Sequence, residues 1–182
     1  MLFRSLRAVG PKGVVVTYEM RDDFARTALL NIDRYMGPMP NLIPMRKNAY
    51  EGIELLDDGI PFDRVVLDLP EPWQVIPHAA NALRSGGIYL SFVPTVPQVM
   101  QTVEALERTT VFAMVETFES LLRTWSVLGR SVRPDHRMVA HSGFITVARK
   151  VEPGLLTGCH ERGMGDETSG DGPEHEERGE PE

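Results

Sequence analysis

Short β-forming runs alternate with helix-period segments along this chain, and that alternation restricts what it can fold into. Val14-Val15-Val16-Thr17-Tyr18 is dominated by β-branched residues and ends in Glu19. Residues 21–35 then place Phe24, Ala28, Leu29 and Ile32 on one helical face, with charges on the other. Leu42-Ile43-Pro44-Met45 reads as a short strand whose proline suits an edge or a bulge. Arg64 to Leu69 is the next strand, and residues 73–84 form a helix with Val75, Ile76, Ala79, Ala80 and Leu83 inward. Ser85-Gly86-Gly87 stops that helix before a strand from Ile88 to Val93. Residues 96–108 are a helix burying Val96, Val99, Met100, Val103 and Leu106. Val111 to Phe118 and Gly143 to Ala148 are strands, while residues 119–132 fit helix and extended chain equally. Residues 2–9 read as the end of an amphipathic helix, stopped by Gly10-Pro11-Lys12-Gly13. The order predicts an α/β fold: a parallel sheet with helices on both faces, closing in an antiparallel pair.

Composition narrows the setting. The chain has 182 residues and is 42% hydrophobic, enough for one domain of ordinary size. Its single cysteine, Cys159, excludes an internal disulfide framework and fits a reducing compartment. No apolar run approaches the ~20 residues of a membrane helix, and the start lacks a signal peptide's apolar stretch. The expectation is a cytoplasmic protein without a membrane or metal partner; no histidine or cysteine spacing suggests a metal site. Residues 160–182 hold nine acids and two arginines, an excess equal to the net charge of −7. Residues 1–159 are therefore neutral, which is not the signature of strong nonspecific nucleic-acid binding. Arg123, Arg130, Arg133, His136 and Arg137 still make a local basic stretch, suited to phosphates or to ordinary solvation. The chain divides into a folded part at 1–151 and a Gly-, Glu- and Pro-rich acidic tail at 152–182, expected to be disordered.

Open α/β sheets bind ligands at the carboxyl ends of their strands. Glu19, Asn48 and Asp68 fall there. A carboxylate at Glu19 suits the two hydroxyls of a ribose; the other reading is a surface acid capping the helix at residue 21. The Asn48 amide can read an adenine edge. Asp68 stands between a buried strand and the rigid turn Pro70-Glu71-Pro72-Trp73. It is either a helix-capping acid or the group that meets a substrate.

Asp68-Leu69-Pro70-Glu71-Pro72-Trp73 resembles the signature of tRNA adenine-N1 methyltransferases, which make 1-methyladenosine in the T-loop at position 58, and at 57 in archaeal members. Val16-Thr17-Tyr18-Glu19 is similar to their second strand, and Pro94-Thr95-Val96-Pro97-Gln98 to the segment after their fifth. Arg133-Pro134, Met138 and His141-Ser142-Gly143-Phe144 are similar to their C-terminal block. Blocks in this order and spacing are far more specific than one hexapeptide. The resemblance spans residues 2–150 and implies a Rossmann-like, class I S-adenosylmethionine-dependent methyltransferase fold.

It also implies roles. Glu19 holds the cofactor ribose. Phe24 lies near its adenine, or is a plain core residue. Asn48 stands where the family has an aspartate at the adenine amino group. Asp68 is the catalytic acid beside the cofactor. Pro70, Trp73, Phe92, Arg133 and His141 face the tRNA, with Phe92 where some relatives carry tyrosine and His141 near the entrance. S-adenosyl-L-methionine, tRNA and a homotetramer come with the family. The family's first strand and Gly-rich loop are expected just before residue 2, so Met1 reads as an internal methionine or the edge of a truncated gene model. Its sheet order, 3-2-1-4-5-7-6, would put that strand between residues 14–18 and 64–69. One reading is therefore the C-terminal part of a catalytic domain. The other is a non-catalytic tRNA-binding or assembly subunit. A small-molecule or DNA methyltransferase would leave the C-terminal block unexplained.

Overall fold

A computed structural model describes residues 2–56 and 59–152. Its helices and strands follow the alternation of the sequence: α1 (Leu2–Val9), β1 (Val15–Tyr18), α2 (Asp22–Met36), β2 (Leu42–Met45), β3 (Phe62–Leu67), α3 (Pro72–Ala82), β4 (Leu83–Val93), α4 (Val96–Arg108), β5 (Phe112–Phe118), β6 (Trp125–Leu128), β7 (Ser131–Pro134) and β8 (Phe144–Lys150). The tail expected to be disordered lies, apart from Glu152, outside the described residues.

Instead of one continuous sheet, the strands form three hydrogen-bonded sets. β1 and β2 pair in parallel. β3, β4, β8 and β5 form a four-stranded sheet in that order, with β3–β4 parallel and β8 antiparallel to both neighbours. The expected antiparallel close is therefore present. Against the family order these strands are 3-2 and 4-5-7-6, with β1 and β3 each at an end of its set. β6 and β7 make a separate antiparallel hairpin in the segment the sequence left ambiguous. Gly129 takes φ +57° at its turn, a conformation that suits the twist of a two-residue hairpin loop.

The main core lies between the four-stranded sheet and helices α3 and α4. Val65, Leu67, Val75, Ile76, Ala79, Leu83, Tyr89, Leu106, Phe112 and Ala148 are buried together. Alternation along β4 sends Tyr89, Ser91 and Val93 to this helix-covered face. The opposite face carries Ile88, Leu90, Phe92, Ile145 and Val147, all half-buried, beside exposed Val66. A second cluster joins Leu6, Val15 and Ile32 under α1, β1 and α2.

Three expectations about faces and stops change. Val96 and Met100 are exposed, and α4 instead buries Thr102 and Leu106. Phe24 is 51% exposed, and Ala25 takes the inward position on α2 beside Ile32. Ser85-Gly86-Gly87 does not separate helix from strand: β4 begins at Leu83 directly after α3, and its register against β3 shifts between Phe62 and Arg64. Gly87 is needed there, because a Cβ would lie 2.8 Å from the Arg84 carbonyl oxygen.

The hydroxyls of Tyr89 and Ser91 are buried without a hydrogen-bond partner among the described residues. Burial pushes the Tyr89 phenol up, so it stays neutral. Removing an unsatisfied buried hydroxyl is close to neutral or stabilising, whereas emptying a packed site costs both transfer and cavity energy. Chemical denaturation should therefore show Tyr89→Phe as stable as the parent or more so, and Ile76→Ala less stable by about 2–5 kcal/mol.

Candidate active site

The β3–β4 ladder ends with Leu67 paired to Ser91, so Asp68 and Phe92 leave two parallel strands at the same end. They continue the row in which Val66 pairs with Leu90, and so share a sheet face. Asp68 is exposed, and its carboxylate takes neither a hydrogen bond nor a cation from the described residues. It does not cap α3. The N-cap is Glu71, which makes no side-chain cap bond and instead accepts from Gln74 Nε2 at 2.7 Å. Pro72 opens the helix where its missing N–H costs nothing. Of the two readings left open at Asp68, helix capping is the one that fails.

The turn after Asp68 is fastened from two sides. Glu71 N donates to the Tyr50 hydroxyl at 3.2 Å, and the Tyr50 carbonyl meets His78 Nε2 at 3.1 Å. Gln98 Nε2 donates to the Pro70 carbonyl at 2.8 Å. The Oε1 of Gln98 accepts from Thr95 N at 3.2 Å and Thr95 Oγ1 at 2.7 Å. Thr95 and Gln98 form a capping box at the start of α4. A rigid proline turn, a helix start and a loop tyrosine thus hold a carboxylate that has no structural bond of its own.

Glu19 follows β1 and is half-buried. Its Oε1 accepts from Arg21 N at 2.8 Å, at the N-cap of α2, so the capping reading is realised at one oxygen. A carboxylate has about four lone-pair positions, so acceptors for a diol remain. Phe24 carries the Arg21 guanidinium 3.6 Å from its ring centroid, and Arg21 pairs with Asp23 at 2.7 Å. The hydrogen bond to Arg21 holds the Asp23 carboxyl below its usual range. Asn48 uses its amide locally: Nδ2 donates to Glu51 at 3.1 Å and Oδ1 accepts from Tyr50 N at 3.1 Å. The next part of that loop is tied to β1, with Glu54 N donating to the Tyr18 hydroxyl at 2.9 Å.

The remaining expected residues scatter. Trp73 is half-buried and lines a cavity of about 330 Å³ with Pro77, Gln101, Glu104 and Arg108, a group that does not include Asp68. Arg133 is exposed on β7, opposite Ser126, away from the β3–β4 ladder in sequence and sheet. Phe92 is half-buried against Gly143, which has φ +135°; a Cβ there would lie 2.4 Å from the ring. His141 is exposed, with Nε2 2.7 Å from the Pro94 carbonyl and Nδ1 3.1 Å from Glu119 Oε2. Tyr50, Gln98, Glu119 and the demand on Gly143 were not anticipated. The Thr95-x-x-Gln98 spacing is a legible capping-box signal; Tyr50 and Glu119 carry no local signal at all. No group of metal-binding side chains occurs among the described residues, and no described helix is long and apolar enough to cross a membrane.

Methyltransferases are among the solved structures similar to this chain. A SAM-dependent O-methyltransferase from Thermotoga maritima superposes with a TM-score of 0.72 at 34% identity, covering 80% of this chain and 53% of that one. The tRNA methyltransferase TrmI from Aquifex aeolicus gives 0.65 at 25% identity, covering 76% and 54%. The fold is that of the class I, S-adenosylmethionine-dependent methyltransferases. Residues 3–142 match the family model described as the tRNA methyltransferase complex GCD14 subunit, and the chain belongs to that tRNA methyltransferase family. It is 33% identical over 164 residues to the tRNA (adenine(57)-N(1)/adenine(58)-N(1))-methyltransferase TrmI of Methanocaldococcus jannaschii, covering 78% of this chain and 57% of that protein. It is 32% identical over 144 residues to the tRNA (adenine(58)-N(1))-methyltransferase TrmI of Thermus thermophilus, covering 79% and 54%. The chain thus spans just over half the length of these relatives.

The Phe92–Gly143 contact makes a local prediction. Gly143→Ala meets both a backbone conformation that L residues rarely adopt and the Phe92 ring. It should lower unfolding free energy by about 1–3 kcal/mol, seen in denaturant titration, and shift the ring resonances of Phe92 in NMR spectra.

Proposed function

We propose that this chain carries the catalytic face of a tRNA (adenine(58)-N1)-methyltransferase, with Asp68 as its catalytic acid. The observation that supports this reading most is the state of Asp68. It is an exposed carboxylate at the carboxyl end of a parallel strand, held by a fastened turn and bonded to none of the described residues.

The donor set suits S-adenosyl-L-methionine. Glu19 keeps acceptors for the ribose hydroxyls, and Phe24 and Asn48 stand at the neighbouring loop and helix start. Asn48 brings no charge and is already engaged in its own turn, so the adenine amino group gains less there than from an aspartate. When bound, this cofactor supplies an electrophilic methyl group on a sulfonium. The nucleophile is adenine N1, whose lone pair needs no base to expose it. Transfer of that methyl group from sulfur to N1 would release S-adenosylhomocysteine and leave positive charge on the purine. Asp68 accepts a hydrogen bond from the exocyclic amino group, which orients the base and stabilises that charge. Phe92, on the same sheet face, gives the base an apolar surface. A base inside folded RNA has to be swung out to reach such a site. Pro70, Trp73, Arg133 and His141 are assigned to the tRNA side, with the exposed cations Arg123, Arg130 and Arg137 around the hairpin for phosphates.

The family context supports tRNA as the substrate class; self-association as a homotetramer and a cytoplasmic location belong to the same proposal. A second reading is a non-catalytic tRNA-binding or assembly subunit, favoured by the local use of the Asn48 amide. Calorimetric titration with S-adenosylhomocysteine separates the two: the catalytic reading expects binding that Glu19→Ala abolishes, and the subunit reading expects none.

Asp68→Asn keeps the shape and removes the charge. In an active preparation it should lower the methyl-transfer rate constant by about 10²-fold or more, with affinity for S-adenosylhomocysteine and for tRNA little changed. An unchanged rate constant would remove Asp68 from the chemistry.

A further inference from the structure

We infer that His141 is a positioning residue that works as an imidazolium, tying the turn after β4 to the segment after β5 and thereby holding Phe92 and the Asp68 turn in place. The inference starts from two hydrogen bonds. His141 Nε2 lies 2.7 Å from the Pro94 carbonyl oxygen, and Nδ1 lies 3.1 Å from Glu119 Oε2. A carbonyl oxygen and an ionised carboxylate only accept. A neutral imidazole has one N–H and one lone pair, so either tautomer would set a lone pair against an acceptor. Only the doubly protonated ring satisfies both contacts. Between an imidazole and a carboxylate, the imidazole is the stronger base and keeps the proton.

The position of the tie gives it a consequence. Pro94 directly follows β4 and directly precedes Thr95, which caps α4. Through that cap, Gln98 reaches the Pro70 carbonyl in the Asp68 turn at 2.8 Å. Two residues beyond His141, Gly143 lies flat against the Phe92 ring. One continuous set of contacts therefore runs from the Asp68 turn through Gln98, Thr95 and Pro94 to His141 and Glu119. The histidine, held between Pro94 and Glu119, is the member that changes charge near neutral pH.

Around the ring, the charged group facing it among the described residues is Glu119, from the segment after β5. The turn before α4 presents only the Pro94 carbonyl, and β8 presents the Phe144 ring at 4.9 Å between centroids. The pKa of His141 is raised, first by the Pro94 carbonyl and then by Glu119, with desolvation opposing. A group whose pKa is raised on folding contributes fully below the ordinary imidazole value, and that contribution fades as pH rises through the folded value. Alkaline conditions should therefore release the tie, and mildly acid conditions should keep it.

The protonation state is independent of any activity, whereas the positioning role rests on the methyltransferase reading. The test is a pH titration of the ¹⁵N-labelled 182-residue chain by NMR. Both ring nitrogens of His141 should carry protons at neutral pH, its midpoint should exceed that of ordinary histidine, and Glu119→Gln should lower it. The Phe92 ring resonances should shift with the same midpoint and lose that dependence in His141→Gln. A neutral ring with an ordinary midpoint, or Phe92 resonances unmoved through the titration, would overturn the inference. The wild-type titration decides this even where the variants fold poorly. In active enzyme, His141→Gln should lower kcat about 10- to 100-fold and should flatten the alkaline fall in rate. Complete inactivity of the wild type at every pH would count against the proposed function, and would leave the His141 titration readable.

Discussion

Strand β4 is the constraint on which the site depends. It is hydrogen-bonded along one edge to β3 in parallel and along the other to β8 in antiparallel. The parallel edge delivers Asp68 and Phe92 to one end of the sheet. The antiparallel edge brings the start of β8, and with it His141 and Gly143, back to that same end. Both effects follow from register: Leu67 pairs with Ser91, and Val93 with Phe144. A slip of one residue on either edge would turn the paired side chains to the opposite face. What locks the register is the helix side of β4, where Tyr89, Ser91 and Val93 are completely buried.

The rim above this sheet adds polar tethers to the apolar packing of Tyr50 and Leu69 against the core. Tyr50, Gln98 and His141 each reach a backbone group of another loop. Each tether replaces a bond to water, so its net worth is small. Together they remove the freedom of loops that would otherwise move relative to the sheet. For methyl transfer this matters more than stability, because a displaced base or carboxylate loses rate steeply with distance. Asp68 itself has no tether, which leaves its charge available.

Much of the architecture was legible because strand and helix differ in period. The β-branched run at 14–18 and the helix face of Val75, Ile76 and Ala79 announce themselves within a few residues and are found where expected, although the helix ends at Ala82 and Leu83 opens β4. Faces exposed to loops were less legible. Phe24 and Met100 are apolar at helical spacing, yet both lie in solvent, because neither α2 nor α4 meets a second layer on that side. The β6–β7 hairpin was not legible because its strands are four residues each and exposed at most positions, so neither period dominates. At the site, the Asp68 turn and its acid could be read from chain chemistry. Trp73, in the same hexapeptide, belongs to α3 and lines a cavity with residues of α3 and α4, a placement no local spacing announces.

By itself the sequence determined the order of elements, the strand-end acids Glu19 and Asp68, and the family to which these blocks belong. Those depend on local spacing and on residue chemistry, which one chain displays openly. Only the tertiary structure decided which acids are spent on structure. Glu19 gives one oxygen to the start of α2, and Asp68 bonds to none of the described residues. It also decided that His141, 47 residues from Pro94 and 22 from Glu119, stands between two acceptors. Such meetings depend on how three strands align across a sheet. No spacing along the chain records that alignment, because the residues share an edge of the fold and not a segment of it.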